Sequence, residues 1–517
     1  MDRMQSASPS RRVATSVNDI KARLEIYKEN LPDFDLTAEH ESAMFAIFRD
    51  HSNVFITGGA GTGKTSLIRD IVIPELDHKG LNFAVTATTG IAGSHLSGKT
   101  IHSWAGIGLG PYFPPNGIPP QERSPDNLRK VYEETYQEWS SSTKYGSAMR
   151  NGVTKRIKGT EVLIIDEISM CAGAGLLGYI DFFMKKIRDD ERPFGGVQVI
   201  CVGDFHQLPC VEKGEPKIPD WAFLSDAWLN GRVRTIELTK VFRQADQVFA
   251  GFLNAVRKGD PVDPAYVRKF VRNLNAEESM CASYLVPTNA KADKLNNMVL
   301  DMYPGPTINI DARFEIEPTF LTQWETVPKV KQQLTKEMRS KERLSLRIGV
   351  PVLFKVNDRS DRYVNGTKGF VSRFLDVAMK EVLDGEVEMV EVRIPKQGDK
   401  EEQIILLQRT ATTRSPKEDS DEWDNVMDSA TGKMKSVRRW PVALQFPLIP
   451  ATAITIHSAQ GMSMDECVID LHQSFASGHV YVAMSRLRTA EGLTLASENF
   501  EVMVDKHVLK FYNNLNK

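Results

Sequence analysis

Residues 54–66 read VFITGGAGTGKTS, and the fold follows from how that stretch is read. Val54 to Thr57 is wholly β-branched or aromatic, the composition of a short buried strand, and the glycines from Gly58 onward end it. A helical pattern restarts in TSLIRDIVIPEL, residues 65–76. Between them, Gly58, Gly63, Lys64 and Thr65 stand at the spacing G-x-x-x-x-G-K-[ST]. A strand, a glycine-rich turn and a helix in that order let backbone N–H groups from Gly58, Gly59, Ala60, Gly61, Thr62 and Gly63 wrap the phosphates of a nucleotide. Lys64 is then expected to reach the β- and γ-phosphates, and the Thr65 hydroxyl to ligate Mg²⁺, with Ser66 completing the nucleotide-binding set.

Working outward, LNFAVTATTG (81–90), EVLIIDE (161–167) and VQVICVGD (197–204) are three more near-continuous apolar runs, each separated from the next by helical sequence. That alternation predicts an α/β fold with a parallel sheet covered on both faces and functional groups at the carboxyl ends of its strands. At one such end, Asp166 is expected to hold the metal and Glu167 to polarise an attacking water as general base. Upstream, residues 18–50 read as helical, after a flexible segment 1–17. PYFPPNGIPPQERSP (111–125) holds six prolines in fifteen residues, so it reads as a rigid projecting loop, followed by a polar helix over DNLRKVYEETYQEW. A second α/β region starts near Arg234 and resumes after Trp440, and the short β runs of 346–440 read as a small inserted barrel with a long mobile loop over 409–436.

Lys and Arg number 65 and Asp and Glu 67, a net charge of −2, which excludes a histone-like binder but not basic groups lining a channel. The five cysteines (171, 201, 210, 281 and 467) form no C-x-x-C pair, so a reducing intracellular compartment is expected: nucleus, cytoplasm or nucleoid, or a mitochondrion given the Ser- and Arg-rich start. No apolar run has the length of a membrane span, so no membrane partner is expected.

Six ordered motifs carry a resemblance. TTGIAGSHLSGKTIHSWAGIGLG (88–110), DEIS (166–169), GDFHQLPCV (203–211), LTKVFRQADQVFAGFLNAVRKGD (238–260), AITIHSAQGMSMDECVIDL (453–471) and YVAMSRLRTAEGL (481–493) follow the glycine-rich loop. Together they resemble the superfamily 1B DNA helicases, most closely the petite integration frequency (Pif) family of the Pif/RecD-like branch, from about Leu36 to Leu493. The resemblance implies two RecA-like motor domains, 18–233 and 234–345 with 441–517. It also implies a wedge insertion at about 106–155 in the first and an SH3-like β insertion, 346–440, in the second. It implies an ATP- and Mg²⁺-dependent helicase moving 5′ to 3′ on single-stranded DNA, acting on tailed duplexes as a monomer, with replication or repair proteins as further partners. A motor subunit of a nuclease complex and an ATP-gated DNA-remodelling protein are the alternatives.

By the same resemblance, Gln207 senses the γ-phosphate, Arg243 and Arg486 are arginine fingers reaching in from the second domain, and Gly461 offers its N–H near the phosphates. Thr89, Gly90, His102, Trp104, Phe205, His206 and His457 are implied to touch DNA, aromatic faces stacking on bases at about 1–3 kcal/mol each. Three positions depart from the family pattern. His40 replaces a glutamine that reads the adenine edge, Ser458 a lysine, and Thr452 a tryptophan. A histidine offers one hydrogen bond where an amide offers two, so base selection is expected to loosen at His40.

Overall fold

Three strands of the first sheet are buried at every position, β1 (Val54–Gly58), β4 (Val162–Asp166) and β5 (Gln198–Val202), which is why their sequence shows no polar alternation. In the computed structural model they join β2 (Phe83–Ala87), β3 (Lys99–Thr100) and β6 (Arg234–Leu238) in one six-stranded sheet. Every pairing is parallel, in the order β3-β2-β4-β5-β1-β6. The structure describes residues 15–31, 35–88, 99–107, 124–141, 147–210, 219–242, 246–321, 326–338, 340–356, 358, 362–363, 367–382, 387–396, 401–413, 423–427, 434–438 and 440–515. The proline-rich stretch 111–125 lies almost wholly outside them. The helix after it, Pro125–Ser141, turns Leu128, Tyr132 and Trp139 inward, with Trp139 edge-on to Phe183 at 4.7 Å.

The chain divides into two compact units, 1–141 with 151–258 and 504–517, and 142–150 with 259–503. This moves the expected boundary. Arg234–Leu238 does not open the second domain; it pairs along its whole length with β1. The following helix, Gln247–Lys258, and the last helix, Lys506–Leu515, also belong to the first unit. Sheet membership is a non-local pairing, and a strand pattern carries no mark of which sheet will accept it.

The second unit holds a four-stranded parallel sheet, Ala453–Thr455, Tyr284–Val286, Cys467–Ile469 and Leu493–Leu495 in spatial order. Buried Asn296 ties the helix Asn289–Met302 to it, exchanging two 2.8 Å hydrogen bonds with the Ala453 backbone. The stretch read as an inserted barrel forms antiparallel sheets around Val352, Phe354, Phe374, Val392 and Phe446. Its limits are wider than 346–440, because Arg313–Glu315 pairs with Val442–Gln445 and Leu448–Pro450 with Pro351–Phe354. Within the expected mobile loop, Trp423–Met427 and Met434–Arg438 pair as a hairpin and Thr410–Thr413 is a sheet strand.

An aromatic cluster fills one side of the first sheet. Phe205 is its hub, 1% exposed, with ring centroids 4.8 Å from Phe55 and Phe223 and 5.5 Å from Phe511. Trp104 is 3% exposed. Neither ring has a face to offer a base, which corrects both expected DNA contacts: an aromatic just past a strand reads alike whether it turns outward or into the core. Phe205→Ala should therefore destabilise the first unit by about 3–5 kcal/mol. Urea denaturation would read this as a lowered midpoint, and an unchanged midpoint with weakened DNA binding would restore the stacking role.

Candidate nucleotide site

The turn after β1 is held open by backbone conformations that suit glycine. Gly58, Gly61 and Gly63 have φ of +147°, +77° and +81°. A Cβ on Gly58 would lie 2.4 Å from the Leu238 carbonyl oxygen of β6 and 2.7 Å from Thr62 Oγ1, so this glycine also lets the edge strand close. Gly63 caps the helical run that starts at Lys64 and continues to His78, with Thr65 and Ser66 half-buried in its first turn. Thr62 Oγ1 donates to the Gly59 carbonyl at 2.9 Å. Lys64 Nζ lies across the loop, donating to the carbonyls of Gly58 (2.8 Å) and Gly59 (2.9 Å). Burial lowers the Lys64 ammonium pKa, and the charges of Asp204, Glu167 and Asp166 oppose that shift. The loop and its lysine thus form a positively charged cradle facing acidic strand ends.

Asp166 ends β4, and Glu167 follows with φ +51°, a left-handed conformation costing a non-glycine residue about 1–3 kcal/mol. Two hydrogen bonds over-determine it. The Glu167 N–H donates to Asp166 Oδ1 at 2.8 Å, and Thr88 Oγ1 donates to the Glu167 carbonyl at 2.9 Å. Gly203, at the end of β5, packs beneath: a Cβ there would come within 3.0 Å of the Ile168 nitrogen. Burial, and then the like charge of Glu167, push the Asp166 carboxyl up to about 7.

The turn after Gly203 carries Asp204, His206 and Gln207, all buried. Asp204 receives a bidentate pair from Arg257 (Nε to Oδ2 and Nη2 to Oδ1, both 3.0 Å), and Arg257 Nη1 also reaches Glu237 at 3.2 Å. Burial alone would raise the Asp204 carboxyl; the Arg257 charge brings it down to about 2. Arg257 was not foreseen as a site residue, although it sits inside the quoted stretch 238–260. Burial pushes the His206 imidazole down to about 4, and its ring stacks on Tyr512 at 4.6 Å, so it too is turned from solvent rather than toward DNA. His102 is half-buried, its pKa lowered by burial. Thr89, Gly90 and Arg243 lie outside the described residues; Phe242, beside Arg243, belongs to the first unit and not the second.

Phe242 was also missed. Its N–H donates to the Gly61 carbonyl at 2.8 Å, and a Cβ on Gly63 would sit 3.5 Å from its ring. The same ring stacks with His40 at 6.3 Å and 19°. His40 is 1% exposed and caps its own helix: the Thr37 N–H donates to its Nδ1 at 3.0 Å. Nδ1 therefore accepts, and by this hydrogen-bond assignment the neutral ring carries its proton on Nε2.

In the second unit, Gly461 has φ +82°. His457 stands 3.3 Å from His479, Nδ1 to Nε2. Arg486 is 4% exposed and bonded within its own unit, to the carbonyls of Val482 (2.9 Å) and Met462 (3.2 Å) and to Ser485 Oγ (2.9 Å). Ser458 caps a turn: its N–H donates to Thr455 Oγ1 at 3.2 Å, and that Thr455 hydroxyl donates to Ser458 Oγ at 2.9 Å; Thr452 is buried.

A glycine cradle with its lysine at the end of one buried strand, and an acidic pair at the end of another in the same parallel sheet, define a P-loop nucleotide-binding α/β protein. More specifically, the chain belongs to the PIF1-like helicase family, whose model matches residues 35–112 and 140–264. It is 32% identical over 483 residues to the ATP-dependent DNA helicase Pif1 of Bdellovibrio bacteriovorus, covering 93% of this chain and 92% of that one. It is 29% identical over 505 residues to the ATP-dependent DNA helicase PIF1 of Emericella nidulans, covering 91% of this chain but only 62% of the relative's length. Among solved structures, Candida albicans Pif1 helicase superposes with a TM-score of 0.71 at 30% identity, covering 93% of this chain and all of that one. The Bacteroides Pif1 helicase in complex with ADP-AlF3 and single-stranded DNA gives 0.64 at 25%, covering 93% of this chain and 98% of that one.

One consequence follows for base selection. If His40, buried in this structure, takes the place of a base-reading glutamine, its single N–H donor would meet the N7 acceptor of adenine and guanine alike, whereas a glutamine pairs with both N6 and N7 of adenine. Competition titrations should show ATP and GTP bound within about threefold of each other, and His40→Gln should shift the ratio at least tenfold toward ATP, about 1.4 kcal/mol. Strict ATP selection in both proteins would refute the assignment.

Proposed function

We propose that this chain is an ATP-dependent DNA helicase that translocates 5′ to 3′ on single-stranded DNA and unwinds tailed duplex DNA in replication, repair or recombination. The observation that carries this reading is what gathers at the carboxyl ends of one sheet: the glycine-rich loop with Lys64, the Asp166–Glu167 turn, and Gln207 on the neighbouring turn. The relatives named above, and the structure with single-stranded DNA and a nucleotide, support it.

In this reading Lys64 leaves the loop carbonyls to hold the β- and γ-phosphates. Glu167, fixed by its strained backbone, orients a water and takes its proton as the water oxygen bonds to the γ-phosphorus and the bond to the β-phosphate bridging oxygen breaks. Gln207 holds that water or the γ-phosphate oxygens. The Thr65 hydroxyl and Asp166 carboxylate are oxygen donors of the kind Mg²⁺ takes, and they would hold it; bound there, it supplies positive charge to the phosphates. Arg243 and Arg486 are assigned to the charge that develops on the transferring group. His102, His457, Thr89 and Gly90 are assigned to the DNA strand, a proline-rich wedge (111–125) to strand separation, and the antiparallel sheets of the second unit to an SH3-like insertion. The protein is proposed to work as a monomer in a reducing intracellular compartment. Among the described residues, no helix is long and apolar enough to cross a membrane.

Two substitutions separate the steps. Lys64→Ala should weaken ATP binding and abolish turnover, because the charge on the transferring phosphate is lost. Glu167→Gln should keep ATP and DNA binding within about threefold while turnover falls by about 10²–10⁴. Wild-type turnover in Glu167→Gln would remove it as the base.

Polarity and unwinding are tested together by strand displacement from 5′-tailed and 3′-tailed duplexes with ATP. Displacement from the 5′-tailed substrate only is expected. Displacement from the 3′-tailed substrate alone would reverse the assigned direction, and DNA-stimulated hydrolysis without displacement from either would make the protein a remodelling ATPase.

A further inference from the structure

The last helix, Lys506–Leu515, returns to the first unit after the chain has built the whole of the second. Two consecutive aromatic side chains fasten it. Phe511 enters the aromatic cluster, 4.6 Å from Phe223 and 5.5 Å from Phe205. Tyr512 points elsewhere. Its ring stacks on His206 and lies 5.2 Å from the Arg257 guanidinium. Its hydroxyl makes three contacts: the Phe205 N–H at 3.2 Å, Thr57 Oγ1 at 2.6 Å and Asp204 Oδ1 at 3.3 Å. A phenol has one proton and two lone pairs, so one arrangement satisfies all three: it accepts from Phe205 and from the Thr57 hydroxyl, and donates to Asp204.

These partners lie on two segments that must keep register for hydrolysis. Thr57 is the residue before Gly58 and the phosphate loop. Asp204 begins the turn carrying Gln207: its carboxylate accepts the His206 N–H at 3.1 Å and its carbonyl the Gln207 N–H at 2.9 Å. The backbone ladder between β1 and β5 closes with the Gly203 N–H on the Ile56 carbonyl, after which the loop and the turn diverge. Tyr512 bridges them just beyond that point. Tyr512 is 6% exposed and Asp204 fully buried, so the bridge is sheltered from bulk water.

We infer that Tyr512 is a positioning residue for nucleotide hydrolysis, its hydroxyl setting the Gln207 turn against the phosphate loop, so that turnover depends on the docking of the last helix of the chain. The inference rests on the proposed ATPase activity of this site. A displacement of about 1 Å in such a constellation is worth about a hundredfold in rate.

The test uses the full chain with single-stranded DNA. Tyr512→Phe keeps the ring, its stack on His206 and its place against Arg257, and deletes only the hydroxyl. We expect kcat for ATP hydrolysis to fall about ten- to a hundredfold with KM for ATP within about threefold, because binding is kept and orientation lost. Phe511→Leu, which trims the aromatic packing of the same helix but leaves it docked and the Tyr512 bridge intact, should keep kcat within about twofold at a temperature below both melting transitions. A Tyr512→Phe protein with wild-type kcat, or equal kcat losses in both variants at matched melting temperature, would overturn the inference. If Tyr512→Phe does not accumulate folded, hydrogen exchange of the wild type decides: adding ADP and aluminium fluoride should slow exchange in 204–210 and in 507–515 together, and an unchanged last helix would overturn it. A wild-type protein that hydrolyses no ATP would overturn the proposed activity instead.

Discussion

A parallel sheet covered on both faces leaves its strands polar surroundings only at their ends, and that constraint organises the first unit. β1, β4 and β5 bury every side chain, so the chain can place charge only where each strand stops. Lys64 follows β1, Asp166 ends β4 and Asp204 follows β5, all at the carboxyl side, so one cation and several anions are brought within each other's field. Each depends on the others to offset its desolvation. An interior polar residue needs its own solution: Gln198 within β5 donates to the carbonyls of Ile47 and Ser52.

The site combines tight glycine contacts with one strained carboxylate. Gly58 and Gly203 stand where a Cβ would meet backbone, 2.4 Å from Leu238 O and 3.0 Å from Ile168 N, so the edge strand and the turns after β4 and β5 close without side chains between them. That closeness, with the Thr88 hydrogen bond to its carbonyl, accompanies Glu167 at φ +51°, near enough for its charge to act on Lys64. The buried Arg257–Asp204 pair serves geometry more than stability. A buried ion pair is roughly neutral against an apolar replacement, whereas losing one partner costs about 3–5 kcal/mol. Its bidentate geometry, extended to Glu237, orients the turn that carries Gln207.

The second unit holds its polar side chains through partners of its own. Ser458, where a lysine is usual, caps a turn through Thr455, and Arg486 is held by carbonyls of its own unit and by Ser485. His457 and His479 pair edge to face at 4.9 Å, and burial lowers both pKa values, so they remain neutral rings at neutral pH.

The linear sequence by itself determined the P-loop, four strands of the first sheet, the acidic pair, the helix over 125–141 and the short β runs of the second unit, because each is written in neighbouring residues: a β-branched run, glycines at fixed spacing, carboxylates after a strand. It also carried the family, through motifs kept in order. Tertiary structure alone decided the rest. Phe205 and Trp104 read as stacking faces and are core; Arg234–Leu238 reads as the start of a second domain and is the outer strand of the first sheet. Tyr512 stands 455 residues from Thr57 and 308 from Asp204, yet its hydroxyl joins them. No local pattern records such contacts, because burial and pairing are settled by what arrives from elsewhere in the chain, and the energy of a buried hydrogen bond belongs to the pair rather than to either residue.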